Sequence, residues 1–428
     1  MTKSQIHKHP LLKPHPCLAF FAYAYNLAEA TRAVEVAGAL RERGAEVHFF
    51  THGGPHESRI IEAGFPLTTL QPLITPEKSA FLMEIDQGRR IGRQPFTTAE
   101  LTAYIESELA ALRELRPAAV YAGMNLPCSI SARAAGIPLI YLMSTPGTYP
   151  YFHHGLATLP ESLENRLTFL LPRRWRDRLF NRLAPRFYAG LRNYNRVARR
   201  YGAPPARTIL DVVTGDLTLL ADLPELSGLP AESLPDNYRH VGPVFAHLPL
   251  PVPDEVRRIF SRPGLKVFCA MGSSAPARVL RTAALALRDS GHNVVIATTS
   301  ILDPADLAPL PENVYATRYL PAPQVNEMAD VAVTHGGQGT LQTACWAGTP
   351  VVGVALQFEQ QSNLDALARA GMGVRIPLRA FTGERLLAEV ERVAGNPRYR
   401  QNAQRIQTLF RSTDGPANAA EAILAFIR

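Results

Sequence analysis

The sequence predicts an α/β protein built from two doubly wound parallel-sheet domains that face one another. Three observations carry that expectation. The chain has 428 residues, too many for one ordinary core. Short apolar runs alternate with helix-like segments in two successive series. Between the series lies a proline-rich break, "FAHLPLPVPDEV", over residues 245–256, with the composition of a linker. The expected units are therefore an N-terminal domain over 1–244, the linker over 245–256 and a C-terminal domain over 257–428. The last helix is expected to pack back on the first domain.

In the first series, Cys17–Ala22, Glu46–Thr51, Ala118–Tyr121, Leu139–Met143 and Leu217–Ala221 read as strands, each a run of mostly apolar residues. Helices covering both faces of a parallel sheet explain why such runs need not alternate with polar residues. The first helix is expected over Ala30–Arg43, with Gly44 as its C-terminal cap. In the second series the strands are Lys266–Ala270, Asn293–Thr298, Val314–Thr317, Val331–Thr334, Val351–Ala355 and Gly373–Ile376, with helices such as Ala277–Ser290 and Leu364–Ala370 between them.

Hydrophobic residues make up 46% and charged residues 19%, the balance of a soluble globular enzyme. No apolar run reaches the ~18 residues of a membrane span. The first residues, MTKSQIHKHPLLKPHP, lack the apolar core of a secretory signal. The four cysteines (Cys17, Cys128, Cys269, Cys345) form no CxxC pair, which points to a reducing cytoplasm and away from structural zinc. The net charge of +8 is concentrated: residues 161–207 hold twelve arginines against Glu161, Glu164 and Asp177. Arg173, Arg174, Trp175, Arg176 and Arg178, with Phe180 and Phe187, suit weak contact with an anionic membrane surface or an acidic acceptor; a solvated helical face is the alternative. No nucleic-acid recognition motif accompanies the charge.

The most informative stretch is "VTHGGQGTLQTACWAGTPVVGVAL", residues 333–356. A strand ends at Thr334, helical spacing runs from Thr340 to Ala347, and Gly348-Thr349-Pro350 stops it. His335, Gly336, Gly337, Gln338, Gly339 and Thr340 thus sit where bare amides and a helix dipole favour an anion. Glycines there let phosphate oxygens approach the backbone, although a ligand-free tight turn would use them too. "CAMGSSA", 269–275, is a second strand ending in a small-residue turn, where Gly272, Ser273 and Ser274 offer donors. "LQFEQQSN", 356–363, follows the next strand, and Glu359 and Gln360 are groups of the kind that bind sugar hydroxyls, or else an exposed polar loop.

Together these segments, over Tyr319 to Ile376 and in the opening "NLAEATRAVEVAGALRERGAEVHFFT", resemble the family-one nucleotide-sugar glycosyltransferases, and most closely their bacterial branch acting on macrolides, glycopeptides, flavonoids and other small aglycones. The resemblance implies a GT-B fold, with the donor nucleotide sugar in the second domain and a small-molecule acceptor in the first. It implies that His335, Gly337, Gln338, Gly339 and Thr340 hold the diphosphate, with Gly272 and Ser273 beside them. Backbone near Tyr319 and Leu320 would pair with the base, and Glu359 and Gln360 would hold the sugar. It further implies an inverting transfer without a metal ion or other cofactor; the chain has no DxD-type acidic pair near the loop.

Three positions depart from the family's pattern. Thr343 stands where many UDP-sugar enzymes carry a ribose-binding glutamate, which favours dTDP over UDP. Glu29 stands where the family has its catalytic histidine, and Gly123 where it has the orienting aspartate. The expectation is that Glu29 is the general base, its basicity raised by Phe21, Tyr23 and Tyr25; helix capping is the alternative role, and His52 the rival base. The aromatic residues Tyr149, Tyr151, Phe152 and Phe169, with Leu170, line either an apolar aglycone pocket or a core. A nucleotide-sugar epimerase or hydrolase on the same fold, and a binding protein that has lost its base, remain the competing functions.

Overall fold

The computed structural model describes residues 15–86, 90, 92–187, 190–247, 250–272 and 275–428. Strands β1 (Cys17–Phe21), β2 (Glu46–Thr51), β3 (Leu67–Thr69), β4 (Ala119–Ala122), β5 (Leu139–Met143), β6 (Leu217–Leu220) and β7 (Tyr238–His240) form one sheet in the order β3-β2-β1-β4-β5-β6-β7. Strands β8 (Lys266–Ala270), β9 (Asn293–Ala297), β10 (Val314–Thr317), β11 (Val331–Thr334), β12 (Val351–Gly353) and β13 (Gly373–Arg375) form the other, in the order β10-β9-β8-β11-β12-β13. Every pairing is parallel. Each sheet reverses its winding at one place, between β1 and β4 in the first and between β8 and β11 in the second. Such switch points open a crevice at the carboxyl ends of the strands.

The short strands β3 and β7 were not expected. They lie at the two edges of the first sheet, where three residues with one or two exposed side chains give no apolar run to read. The first helix, α1, spans Leu27–Glu42 and starts three residues before the expected Ala30. Asn26 is the reason: its side chain accepts from the amides of Ala28 and Glu29 and caps the helix three positions earlier than the apolar pattern implies. The arginine-rich helix α2 spans Arg173–Leu183, and helix α3, Gln338–Ala347, follows β11 directly with Gly337 as its N-cap. Helix α4 spans Phe358–Arg369 rather than beginning at Leu364, so Glu359 and Gln360 stand in a helical first turn and not in an exposed loop.

The linker is irregular from Val241 to Pro253, apart from residues 248 and 249 outside the described set, and then enters the helix Asp254–Phe260. Val244 and Phe245 are buried, and the His247 amide donates to Glu35 of α1. The final helix, α5 (Gly415–Phe426), returns to the first sheet. Its Ala419, Ala420 and Ile423 join Ala33, Val36, Ala37 and Leu40 of α1 in one buried cluster, and Arg43 pairs with Glu421. A Cβ at Gly415 would stand 2.0 Å from the Pro243 carbonyl oxygen, so the crossover is close enough to require glycine. Truncating the fully buried Ile423 to alanine is expected to cost about 2–4 kcal/mol in chemical unfolding, with the first domain losing stability along with the C-terminal helix.

Candidate functional site

The register of the second sheet sets Ala270 of β8 opposite Thr334 of β11, so the chain leaves both strands side by side at the switch point. Gly272 and His335 are therefore neighbours. A Cβ at Gly272 would lie 2.5 Å from His335 Cε1, and one at Gly337 would lie 2.6 Å from His335 Nε2. The imidazole thus occupies the space that a side chain at either position would need. Gly272 also has φ +61 and Gly336 φ +90, conformations that side chains oppose. Thr299, itself at φ 54, fixes the Gly272 turn by donating its hydroxyl to the Gly272 carbonyl at 2.9 Å. Ser273, expected beside Gly272, lies outside the described residues.

His335 is buried, and its Nδ1 finds no hydrogen-bond partner among the described residues. Burial lowers its pKa to about 4, so the ring is a neutral imidazole near neutral pH. It stands at the N-terminus of α3, where nothing lies within 4 Å of the Cβ direction of Gly339 and Thr340 is partly exposed. Open space, helical amides and a polar ring atom lacking a partner converge here, which is the arrangement that accepts a phosphate.

The fourth residue of this loop turns away from it. Gln338 is buried; its Nε2 donates to the Ala221 carbonyl and to Asp222 Oδ1, both at 3.0 Å, and its Oε1 accepts from Arg32 Nη1 at 2.5 Å. Gln342, one turn on, donates to the same Ala221 carbonyl at 2.5 Å. Gln338, expected as a donor-binding residue, thus spends its side chain joining the two domains, because the carbonyl at the end of β6 and the Arg32 guanidinium are both buried and need partners.

Arg32 was missed in the sequence. It also donates to Glu29, its neighbour three residues back on α1. Burial alone would lower its pKa, but the charge of Glu29, then Tyr121 and Glu359, outweighs that and raises it. A single guanidinium therefore touches Glu29 in the first domain and Gln338 in the second, with Glu359 within electrostatic reach. The spacing Glu29-x-x-Arg32 on one helix face was the available signal. Glu29 is buried, and the partner beside its carboxylate is a charge that the expected aromatic surroundings did not include. Tyr23 and Tyr25 direct their hydroxyls to Ser79 and the Ile74 carbonyl, and Arg32 takes the place beside the carboxylate. Helix capping falls to Asn26. Gly123, at the end of β4, faces Glu29: its Cβ direction lies 3.4 Å from Oε2.

His52 is engaged through both ring nitrogens, Nδ1 with the Pro72 carbonyl at 2.9 Å and Nε2 with Glu108 at 3.2 Å. Glu108 is itself fully buried and also accepts from Asn125 and Ser131. Both ring nitrogens of His52 are thus engaged within the first domain.

Glu359 accepts from Asn363 at 3.1 Å. Gln360 is buried, its Oε1 accepting from the Leu356 amide and its Nε2 donating to Gln357, so part of its capacity shapes the turn into α4. Phe358, just before them, stacks on Phe152 with ring centroids 5.6 Å apart. Phe152 and Tyr151 are buried in this contact, while Phe169 and Leu170 are largely exposed; Tyr149 donates to Asp211. The five are thus divided between a buried cluster and an exposed loop. Tyr319 is partly exposed and Leu320 buried, both between β10 and the helix Ala322–Met328. Thr343 donates to the Thr340 carbonyl at 2.8 Å and accepts from Asn326 at 3.1 Å, so its hydroxyl is consumed within the fold.

The depressed pKa of His335 has a consequence for stability. The unfolded chain takes up this proton near pH 6.5 and the folded chain only near pH 4, so stability falls as pH drops through that window and the His335 contribution is flat above it. Wild type is expected to lose up to about 3 kcal/mol more than His335→Gln between pH 7 and pH 4, measured by chemical unfolding of both proteins across the range.

Residues 284–426 match the model of the erythromycin biosynthesis protein CIII-like C-terminal domain. A PGL/p-HBAD biosynthesis rhamnosyltransferase of Mycobacterium bovis is 30% identical over 400 residues, covering 92% of this chain and 84% of that protein. The 4'-demethylrebeccamycin synthase of Lentzea aerocolonigenes is 29% identical over 307 residues, 67% of this chain and 68% of that protein. Among solved structures, spinosyn forosaminyltransferase SpnP superposes with a TM-score of 0.69 at 18% identity, over 96% of this chain and 99% of that one. Glycosyltransferase VinC, solved in complex with DTDP, does so at 0.66 with 20% identity, over 96% and 99%. Two wholly parallel, doubly wound sheets and these relatives lead to one assignment: the chain belongs to the macrolide-type branch of the family-one glycosyltransferases and has their GT-B fold.

Proposed function

We propose that this glycosyltransferase moves a sugar from a dTDP-linked donor to a hydroxyl of a small, apolar aglycone, with inversion at the anomeric carbon and without a metal ion. The observation that carries the reading is His335, a buried neutral imidazole whose Nδ1 lacks a partner among the described residues at the N-terminus of α3. In the reaction the acceptor oxygen bonds to the anomeric carbon as the bond from that carbon to the diphosphate oxygen breaks. The nucleoside diphosphate leaves with the bonding pair. An N–H of His335 and the amides of Gly339 and Thr340 stabilise the charge developing on that oxygen. The acceptor proton passes to Glu29.

Three features support the details. Arg32 pairs with the side chain of Glu29 on α1 and orients it. A carboxylate held by a guanidinium is a modest base, so a phenolic or otherwise acidic hydroxyl is the acceptor that fits. Thr343, with its hydroxyl consumed internally, offers nothing to a ribose 2′-hydroxyl, which favours the deoxyribose of thymidine. Glu359 stands on the electrostatic path from Arg32 and is the group proposed to hold sugar hydroxyls, with Gln360 shaping its turn.

A thermal-shift screen of dTDP- and UDP-sugars, followed by an acceptor panel with product stereochemistry read by NMR, tests the reading. The expected result is stabilisation by dTDP-sugars and an inverted glycoside on a phenolic acceptor. Sugar turnover without acceptor would replace it with an epimerase or hydrolase, and binding without any turnover with a binding protein. Glu29→Gln preserves the shape and a hydrogen bond to Arg32 but not the proton acceptor. It is expected to lower turnover ~10²–10⁴-fold with donor affinity nearly unchanged. Near-normal turnover in that variant would remove Glu29 as the base.

A further inference from the structure

The segment between β5 and β6 presents a face that the proposed reaction does not use. Of fifteen large apolar side chains exposed among the described residues, nine fall between 163 and 187. Helix α2 carries Trp175, Leu179 and Leu183 at four-residue spacing, which aligns them in one stripe; they are 64%, 47% and 53% exposed. Arg174, Arg178 and Arg182 have the same spacing one position back and form an adjacent exposed stripe. On the other side, Arg176 bonds Glu164 at 3.2 Å and lies over the Phe169 ring at 5.0 Å. That contact pins the preceding loop beside the helix, with Leu167 and Leu170 75% and 79% exposed.

The orientation of α2 is fixed from behind. Phe180 packs edge-on against Phe152 and Phe358. Asn181 exchanges hydrogen bonds with both backbone groups of Ala157, and Asp177 accepts from the Leu159 amide at 2.8 Å. The acidic residues between 163 and 187 are Glu164 and Asp177, and both are committed to these inward partners. The outer face is therefore apolar and cationic, with no carboxylate to offset it.

We propose that this face docks on an anionic membrane surface, with Trp175 and its stripe at the headgroup boundary and the arginine stripe on lipid phosphates. Tryptophan and leucine beside a basic row is the composition of a helix lying in the interface plane. No helix among the described residues is long and apolar enough to cross a membrane, so the contact is peripheral. A second copy of the chain would bring the same uncompensated arginines into the interface, which disfavours self-association. Docking also has a direction. The inner face of α2 reaches Phe358, the residue before Glu359, so a docked molecule holds that edge of the cleft towards the lipid.

The test needs neither donor nor acceptor and is separate from the fate of the proposed reaction. The full chain is sedimented with vesicles of phosphatidylcholine alone and of equimolar phosphatidylcholine and phosphatidylglycerol. Binding is expected only to the anionic vesicles, weakening on the order of tenfold in Arg178→Glu/Arg182→Glu and in high salt. Trp175→Ser/Leu179→Ser is expected to lose binding while unfolding at the wild-type temperature. In the wild type, brominated lipid should quench Trp175, one of two tryptophans; the other, Trp346, lies under the Arg411 guanidinium at 4.6 Å. Equal binding to both vesicles, no binding, or unchanged binding in the variants would overturn the proposal. A dimer in sedimentation velocity that dissociates in the Leu179 variant would overturn it in favour of a second copy.

Discussion

The buried guanidinium of Arg32 is the contact on which the arrangement of the cleft depends. It reaches Glu29 on its own helix and Gln338 at the start of α3, and so ties a carboxylate of the first domain to the His335 loop of the second. A buried arginine without partners carries a desolvation cost of several kcal/mol. Here the neighbouring negative charge overrides that cost, as the raised pKa of Arg32 records. The same economy explains Gln338 and Gln342. Both side chains converge on the Ala221 carbonyl at the end of β6, which has no further strand residue to satisfy it there. The relative position of the two domains at this point is thus set by a handful of hydrogen bonds between groups that would otherwise be buried unpaired.

A second set of contacts holds the far side of the cleft. Arg375 of β13 pairs with Glu161 and Asp365, and Gln361 exchanges hydrogen bonds with Thr158, Leu159 and Glu161. With the Phe152–Phe358 stack between them, these contacts fix the first turn of α4, where Glu359 stands. The two domains are therefore joined at two places, at Gln338 and along the first turns of α4, by side chains that reach from one domain into the other.

The sheets, their alternation and the loop at His335 were legible because they rest on local chemistry: apolar runs of strand length, glycines where a ring or a carbonyl comes too close, and a helix start beside them. What the sequence concealed was long-range. Arg32 looks like any charge on an amphipathic helix until Gln338, 306 positions away, is seen accepting from it. Gln338 looks like a loop donor until its partners on β6 appear. The charged partner of Glu29 was hidden for the same reason: Tyr23 and Tyr25 are close in sequence, but their hydroxyls find partners at Ser79 and Ile74, and the carboxylate finds Arg32. The short edge strands were hidden because three half-exposed residues carry no periodic signal.

Glu29 and Gly123 make sense only as a pair. Where the family's pattern has a histidine oriented by an aspartate, the aspartate accepts the ring N–H and stabilises the imidazolium formed as the proton arrives. A glutamate at position 29 has no tautomer to fix, and an aspartate at 123 would set a second carboxylate against it, since the Cβ direction of Gly123 already lies 3.4 Å from Glu29 Oε2. Two neighbouring carboxylates repel strongly in a buried setting, and one of them would be driven to hold a proton. Replacing the aspartate by glycine removes the repulsion, and recruiting Arg32 three residues along the helix supplies a positive partner from the opposite side. In the proposed mechanism the group beside the base is thus Arg32 on α1 and not a residue of β4, and Arg32 also bonds Gln338. In this chain the group that positions the proposed base is the same group that fastens the two domains together.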